Sequence, residues 1–386
     1  MNNKTVIVGM SGGVDSSVAA ALLKEQGYRV IGLYMKNWEE LDENGVCQSA
    51  KDYEDVIKVC EALDIPYYSV EFVNEYRDNV FKYFLSEYEA GYTPNPDILC
   101  NREIKFKVFF EKAMELGADY LATGHYCQHI ESGERSLLVK GDDPRKDQTY
   151  FLYTMQERIL KKVLFPLGHL EKTKVREIAE KYNLATKAKK DSTGICFIGE
   201  RNFKNFLSQY IQVKTGDFEN LSGEVVGQHD GAAYYTIGQR KGLRLGGQGE
   251  PWFVVDKDIE RNIVIVERGE RHSALYADEL WANELSFVQG DFIEGLELPM
   301  RLKAKIRYRQ PDQDCMLMSL TDGVAHVVFD QPQRAITIRQ SIVFYQELSG
   351  QTVCLGGGMI SKRGVTYYER EAALPTEVDS GVSPHQ

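Results

Sequence analysis

Three short stretches of this 386-residue chain hold side chains whose types and spacing could do chemistry. The first is Ser11-Gly12-Gly13-Val14-Asp15-Ser16, set between a strand-like run, Thr5 to Val8, and the helical apolar spacing of Val14 to Leu23. Adjacent glycines let backbone amides close on an oxyanion, and Ser11, Ser16 and the helix N-terminal amides can donate to phosphate oxygens. The Gly-Lys-Ser/Thr ending of a Walker loop is missing, so a nucleotide here would be held in another way. A plain glycine turn capping a helix would explain the glycines but not the whole hexapeptide. Met35, at the end of the next strand-like run, stands where an adenine could rest.

The other two stretches each carry a cysteine. Cys100 lies in Asn95-Pro96-Asp97-Ile98-Leu99-Cys100-Asn101, a proline-stiffened loop opening a helix, and Cys196 in Asp191-Ser192-Thr193-Gly194-Ile195-Cys196-Phe197, a polar loop. Both settings favour exposure, and a helix N-terminus raises the thiolate fraction of a nearby thiol. The two are 96 residues apart (196 minus 100), so spacing does not pair them, and two unrelated buried thiols is the competing reading. Cys47, Cys60, Cys127, Cys315 and Cys354 sit in strand or helix surroundings or in no motif, and are expected to be structural. Seven cysteines, none in a C-x-x-C pair, support neither a disulfide framework nor a zinc knot.

These groups must be positioned by ordered elements. Arg29 to Met35 and Tyr67 to Phe72 read as strands, with a helix between them marked by Val56, Cys60 and Leu63. Helices follow from about Glu75 to Tyr88 and from about Arg102 to Leu116, then a strand at Tyr120 to Thr123. Such alternation predicts a parallel sheet covered by helices, with ligands at the C-terminal strand ends. From Gly216 onward, short strand-like runs alternate with Gly-rich turns: Ala232 to Ile237, Trp252 to Asp256, Ile263 to Val266, Met300 to Tyr308, Cys315 to Leu320, Ala325 to Phe329 and Ser341 to Tyr345. That texture predicts small β domains. Glu371 to Gln386 is polar and lacks Lys and Arg, which predicts a poorly ordered tail.

Hydrophobic residues at 43% and charged residues at 27% describe a globular protein, and no run approaches the length of a membrane span. No basic-then-apolar leader opens the chain, so a cytoplasmic location is expected. Lys+Arg 46 against Asp+Glu 57 gives a net charge of -11, so any polyanion must meet a local patch. Arg158 to Lys190 holds ten Lys/Arg and three Glu, a local balance of +7, for which a solvated helix face is an equal reading. Arg301, Lys303, Lys305, Arg307 and Arg309 alternate with Leu302, Ala304, Ile306 and Tyr308, and period two would place all five cations on one strand face, open to phosphates.

With these motifs in hand, the sequence resembles the tRNA-specific 2-thiouridylases, a family of pyrophosphatase-loop enzymes that cleave ATP between the α and β phosphates. The landmarks are SGGVDS at 11 to 16, NPDILCNREIKF at 95 to 106, ATGHY at 122 to 126, KDQTYFL at 146 to 152, STGICFIGER at 192 to 201 and YTIGQRKGLRLGG at 235 to 247. In the last of these, Arg244 stands where the family has glycine. The resemblance runs from Val8 to about Ile360 and implies an α/β fold: a parallel-sheet nucleotide domain at 1–205, a small central β domain at 206–280 and a C-terminal β-barrel at 281–362; the remainder, 363–386, lies outside the resemblance and is expected to be a disordered tail.

It also implies roles. Gly9, Met10, Ser11, Gly12, Gly13, Val14, Asp15, Ser16, Met35 and Gly124 would form the ATP site. Asn95, Pro96 and Asp97 would contact the target base, with Asp97 a candidate acid/base. Cys196 would carry a persulfide and Cys100 act as nucleophile, the two forming a transient disulfide. His125, Lys146, Asp147, Gln148, Arg307, Tyr308, Arg309 and Gln340 would touch tRNA. ATP and Mg2+ are the implied cofactors, with no ligand set for the metal. The implied partners are tRNAs for Lys, Glu and Gln and a persulfide donor, either a cysteine desulfurase or a sulfur-relay protein. Two rivals stand beside this reading: a small-molecule pyrophosphatase-loop ligase, which would need neither cysteine pair nor basic strand, and an idle RNA-binding protein, which would not keep an intact SGGVDS.

Overall fold

The computed structural model describes residues 3–39, 47–191, 203–211, 214–376 and 378. Strands β1 (Thr5–Met10), β2 (Arg29–Lys36), β3 (Tyr67–Glu71) and β4 (Tyr120–Ala122) pair in parallel in the order β3-β2-β1-β4. β1 carries Val6, Ile7 and Val8 fully buried, as a strand covered on both faces must. The helices Val14–Glu25 and Gln48–Ala62 pack with one face through Val18, Leu23, Val56 and Cys60, while Phe106, Phe109 and Phe110 line the other. The expected strand–helix alternation is present, because each helix presents an apolar stripe to this sheet.

A hairpin, β5 (Cys127–Ser132) and β6 (Arg135–Lys140), follows before the short edge strand β7 (Val163–Leu164) closes the parallel sheet beside β4. The next unit is a four-stranded sheet of β8 (Gly216–Glu219), β9 (Val225–His229), β10 (Trp252–Asp258) and β11 (Ile263–Arg268), in the order β10-β11-β8-β9. Residues 232–237, expected as a strand, begin with a 3-10 turn, Ala232–Tyr234, which pairs in no sheet. The remaining strands are β12 (Tyr276–Phe287), β13 (Met300–Lys305), β14 (Gln313–Thr321), β15 (Val324–Arg334), β16 (Ser341–Leu348) and β17 (Gln351–Arg363). They run β12-β15-β14-β13-β16-β17, and β17 pairs back onto β12, closing a six-stranded antiparallel barrel around Leu280, Leu302, Leu317, Val327 and Phe344.

The elements depart from the expected boundaries in three places. β12 runs across the boundary expected at 280–281. The hairpin β5–β6, inside the expected 1–205 unit, is built onto the barrel: Val139 and Cys127's partner strand reach β17 through the pairs Val353–Val139 and Cys354–Leu138. The chain after 362 is also structured in part. Thr366 is buried, Arg363 pairs with Glu369 at 2.7 Å, and Arg370 pairs with Asp278 at 2.8 Å. The polar composition there serves side-chain pairing along residues 363–376. Arg244, in the position where a glycine was expected, adopts φ +55, the left-handed backbone that glycine reaches most easily.

Candidate active site

The Ser11–Ser16 turn leaves the C-terminal end of β1 at the centre of the parallel sheet, where ligands of such sheets collect. Gly12 has φ +72, and a Cβ on it would stand 2.5 Å from the Asp52 carbonyl oxygen. The turn is locked by hydroxyls: Ser11 N donates to Ser16 Oγ at 3.2 Å, Ser16 Oγ donates to Gly13 O at 3.2 Å, and Ser17 Oγ donates to the same carbonyl at 2.7 Å. Gly13, the N-cap of Val14–Glu25, makes no side-chain cap bond, which leaves the first helix amides to an anion. Gly124, after β4, closes on this turn so tightly that a Cβ there would lie 2.8 Å from Asp15 C and Ser16 N. Met35 is half-buried at the end of β2, whose Tyr34 is in register with Met10.

A charged network surrounds the turn. Asp15 Oδ1 accepts from Tyr126 Oη at 2.7 Å and from Lys172 Nζ at 2.6 Å. Lys172 also pairs with Asp191 at 2.8 Å, and Asp191 pairs with Lys146 at 2.6 Å and Arg176 at 3.0 Å. Partial burial would raise the Asp191 carboxyl, but hydrogen bonds from Lys146 and Lys172 outweigh it and hold it at about 2. Lys189 donates to Gly12 O at 2.9 Å and pairs with Asp52 and Asp55, each at 2.8 Å. The basic stretch 158–190 is therefore neither a plain solvated face nor an open patch. Lys172, Arg176 and Lys189 turn inward to carboxylates and carbonyls beside the loop, while Lys161, Lys174, Lys181 and Lys187 make exposed ion pairs. Lys172, Asp191 and Tyr126 were not singled out in the sequence; the excess of cations in 158–190 was the signal that could have found the first.

The Asn95–Cys100 segment is a short helical turn running into a π-helical stretch, Cys100–Val108. Asn95 Oδ1 accepts from Asp97 N at 3.2 Å and Ile98 N at 3.4 Å, and Pro96 occupies the first turn, where its missing N–H costs nothing. Cys100 is not exposed as expected. It has no solvent-accessible surface and packs among Tyr76, Val80, Phe84, Leu99, Ile104 and Phe206. A helix start exposes a thiol only where the buried stripe faces elsewhere, and here the stripe of Ile98, Leu99 and Ile104 includes it. Cys196, with the rest of 192–202, lies outside the described residues. Cys60, Cys127, Cys315 and Cys354 are buried as expected, with burial raising Cys60 and Cys315 to about 12, while Cys47 is half-buried.

The residues expected at a tRNA surface divide. Arg309 is exposed, Tyr308 is half-buried with its ring centroid 4.4 Å from that of Phe151, and Lys146 is half-buried on Asp191. His125 is buried against Thr123 Oγ1 at 2.8 Å, and burial, with Lys105 nearby, pushes it well below the usual imidazole range. Asp147 is buried and accepts from Gly141 N, Thr149 N and Thr149 Oγ1. Gln148 Oε1 accepts from Tyr126 N at 3.0 Å, and Gln340 donates to Thr93 O. The five-cation strand face is corrected outright. β13 ends at Lys305, which is buried beside Asp312 at 3.8 Å, and Arg301 and Lys303 pair with Asp330 and Asp314. Arg307 donates to Ile237 O at 3.0 Å and Ala335 O at 2.8 Å, and burial lowers it to about 10. Among the described residues, no group of three or more His, Cys, Asp or Glu is arranged to hold a metal ion.

A parallel sheet with a serine–glycine anion turn at its central strand, followed by two β units, defines an ATP-using enzyme of the HUP class. Residues 4–200 match the family described as tRNA methyl transferase HUP domain, 204–268 the tRNA methyl transferase PRC-barrel domain, and 277–360 the aminomethyltransferase beta-barrel domain. The tRNA-specific 2-thiouridylase MnmA of Protochlamydia amoebophila is 61% identical over 376 residues, covering 97% of this chain and 98% of that one. Its counterpart in Bacillus subtilis is 57% identical over 92% of this chain and 94% of that one, and the one in Listeria welshimeri 56% identical over 96% of each. The chain belongs to the tRNA-specific 2-thiouridylase family.

Proposed function

We propose that this protein is a tRNA-uridine 2-sulfurtransferase of the cytoplasm, which uses ATP to replace the C2 oxygen of the wobble uridine with sulfur and releases AMP and pyrophosphate. The observation that carries this reading is the Ser11–Ser16 turn closed by Gly124, in a chain similar over nearly its full length to 2-thiouridylases. A uracil C2 carbonyl is a poor electrophile with a poor leaving group. Its oxygen attacks the α phosphorus of ATP, pyrophosphate departs, and AMP becomes the leaving group at C2. The open helix amides, Ser11 and Lys172 meet the phosphates. Magnesium entering with ATP would balance their charge, and the Asp15 carboxylate is an oxygen donor of the kind it takes.

Sulfur then comes from a persulfide on Cys196, loaded by a cysteine desulfurase or a sulfur-relay protein. In one order the terminal sulfur attacks C2, AMP leaves, and the Cys100 thiolate attacks the Cys196 sulfur, freeing 2-thiouridine and leaving a Cys100–Cys196 disulfide. In the other, Cys100 first releases hydrosulfide, which attacks C2. Either order requires the covering of Cys100 to open, since its thiol has no exposed surface in the state described. Asn95, Pro96 and Asp97 line the approach to it, with Asp97 the acid/base. The target base leaves its stack to reach this turn, and Lys146, Tyr308, Arg309 and Gln340 are the contacts suited to the rest of a tRNA, those for Lys, Glu and Gln being the proposed substrates.

The test is thionucleoside analysis with Cys100→Ser and Cys196→Ser, each expected to abolish 2-thiouridine while tRNA affinity stays within about twofold, as for loss of a reacting group that contributes no binding. Normal 2-thiouridine from either variant would remove these cysteines from the mechanism.

A further inference from the structure

The approach to the Asn95–Cys100 turn is held by elements far from it in sequence. Helix Lys82–Glu89 ends at Ala90, and Gly91 follows with φ +81, its N–H donating to Tyr88 O at 2.9 Å. A Cβ on Gly91 would meet Ile259 Cδ1 at 2.2 Å, so the loop beyond β10 is pressed directly onto this backbone. Lys257, on β10, donates its ammonium to Gly91 O and, at 2.8 Å, to Tyr235 O. Thr236 Oγ1 lies 3.2 Å from Thr93 Oγ1. From the barrel side, Gln340 donates to Thr93 O, Arg339 pairs with Glu87 at 2.8 Å, and the Arg339 guanidinium lies 5.2 Å from the Tyr92 ring centroid.

Gly91, Tyr92 and Thr93 are thus clamped by two β units immediately before the turn that carries Asn95, Asp97 and Cys100. We propose that Lys257 of the four-stranded sheet and Thr236, in the segment between β9 and β10, are positioning residues, which with Arg339 at the barrel lip hold Gly91–Thr93 and thereby set the Asn95–Cys100 turn for sulfur transfer. The β units then do more than bind RNA: whatever shifts them on the HUP unit shifts the reacting turn. Burial withdraws the Lys257 ammonium from water and lowers it to about 8, although Asp256 nearby opposes the shift. The inference rests on reading Asn95–Cys100 as the reacting segment.

The experiment uses the full chain with ATP, magnesium, a persulfide donor and unmodified tRNA. Lys257→Met keeps the stem and removes the donors. It is expected to lower maximal turnover about tenfold, the effect of losing hydrogen bonds worth on the order of 1–1.5 kcal/mol, with KM for ATP and tRNA within about twofold. Iodoacetamide labelling of Cys100, followed by peptide mass, should quicken by a similar factor. Thr236→Val should show a smaller loss that Thr236→Ser restores. Unchanged turnover and unchanged Cys100 labelling in a folded Lys257→Met protein would overturn the proposal. Should Lys257→Met fail to fold, the Thr93→Val, Thr236→Val double-mutant cycle decides: coupling in turnover supports the clamp, and strict additivity refutes it. A parallel Cys100→Ser arm separates the two readings. Its retention of thiolation would fail the reacting-segment assignment, while the labelling rate still reports on the clamp.

Discussion

Gly124→Ala tests the nucleotide site with a single methyl group. The backbone of Gly124 lies outside the left-handed region, so alanine meets no φ penalty and only its Cβ matters. That carbon would stand 2.8 Å from Asp15 C and Ser16 N and 3.1 Å from Asp15 Cβ, all in the phosphate turn. Ordinary contact begins near 3.4 Å, so the turn must retreat by roughly half an ångström, the tolerance within which a binding constellation keeps its function. The retreat moves the amides of Asp15 and Ser16 and strains the Asp15 contacts to Tyr126 and Lys172. Overpacking of this kind costs about 1–3 kcal/mol, which as lost binding corresponds to an ATP affinity weaker by about 5- to 150-fold. Calorimetric ATP titration and pyrophosphate release measure it, with a thermal melt to confirm folding. Gly290→Ala, where a Cβ meets nothing within 4 Å, is the control. Wild-type ATP affinity in a folded Gly124→Ala protein would show that Gly124 does not shape the nucleotide site.

Arg307→Met should destabilise the fold by about 2–4 kcal/mol, since it strips donors from buried carbonyls at the junction of the four-stranded unit and the barrel. Arg309→Gln should leave the melt unchanged and reduce the salt slope of tRNA binding by roughly 0.7 to 0.9; equal melts for both would refute the distinction. The Glu369 carboxyl is held at about 2, chiefly by its hydrogen bonds from Arg363. A depressed carboxyl gives stability that is full above its unfolded value, near 4.5, and lost as pH falls through about 2. Because the group is largely solvated, the contribution is discounted to about 1 kcal/mol. Glu369→Gln should therefore melt lower than wild type at pH 7 and match it near pH 2, and an equal gap at both pH values would contradict the assignment.

The HUP unit was largely legible because a buried parallel strand and an amphipathic helix write their periods into the sequence, as Thr5–Met10 and Val14–Glu25 do. The nucleotide turn was legible because its chemistry is local: glycines, hydroxyls and a helix start are adjacent in the chain. What failed were inferences about which face meets water. Period two in Arg301–Arg309 was real as far as Lys305, yet Lys305 and Arg307 point to acceptors supplied by residues 237, 312 and 335, which no local pattern announces. Cys100 was misjudged for the same reason, since its cover includes Tyr76 and Phe206. The hairpin β5–β6 and the inward turn of Lys172 to Asp15 are likewise tertiary events between distant stretches.

The joining of that hairpin to β17 bears on how the chain is made. Leu138 is in register with Cys354, 216 residues later (354 minus 138), and β17 is the barrel's last strand. Translation delivers the hairpin long before its partner, and at about 5–20 residues per second the delay is on the order of ten to forty seconds. During that interval the emerging nascent chain carries an unpaired β6 edge, a template for wrong pairing. Final docking of the hairpin therefore waits on the barrel's last strand, so an early and a late segment of the chain complete their packing together.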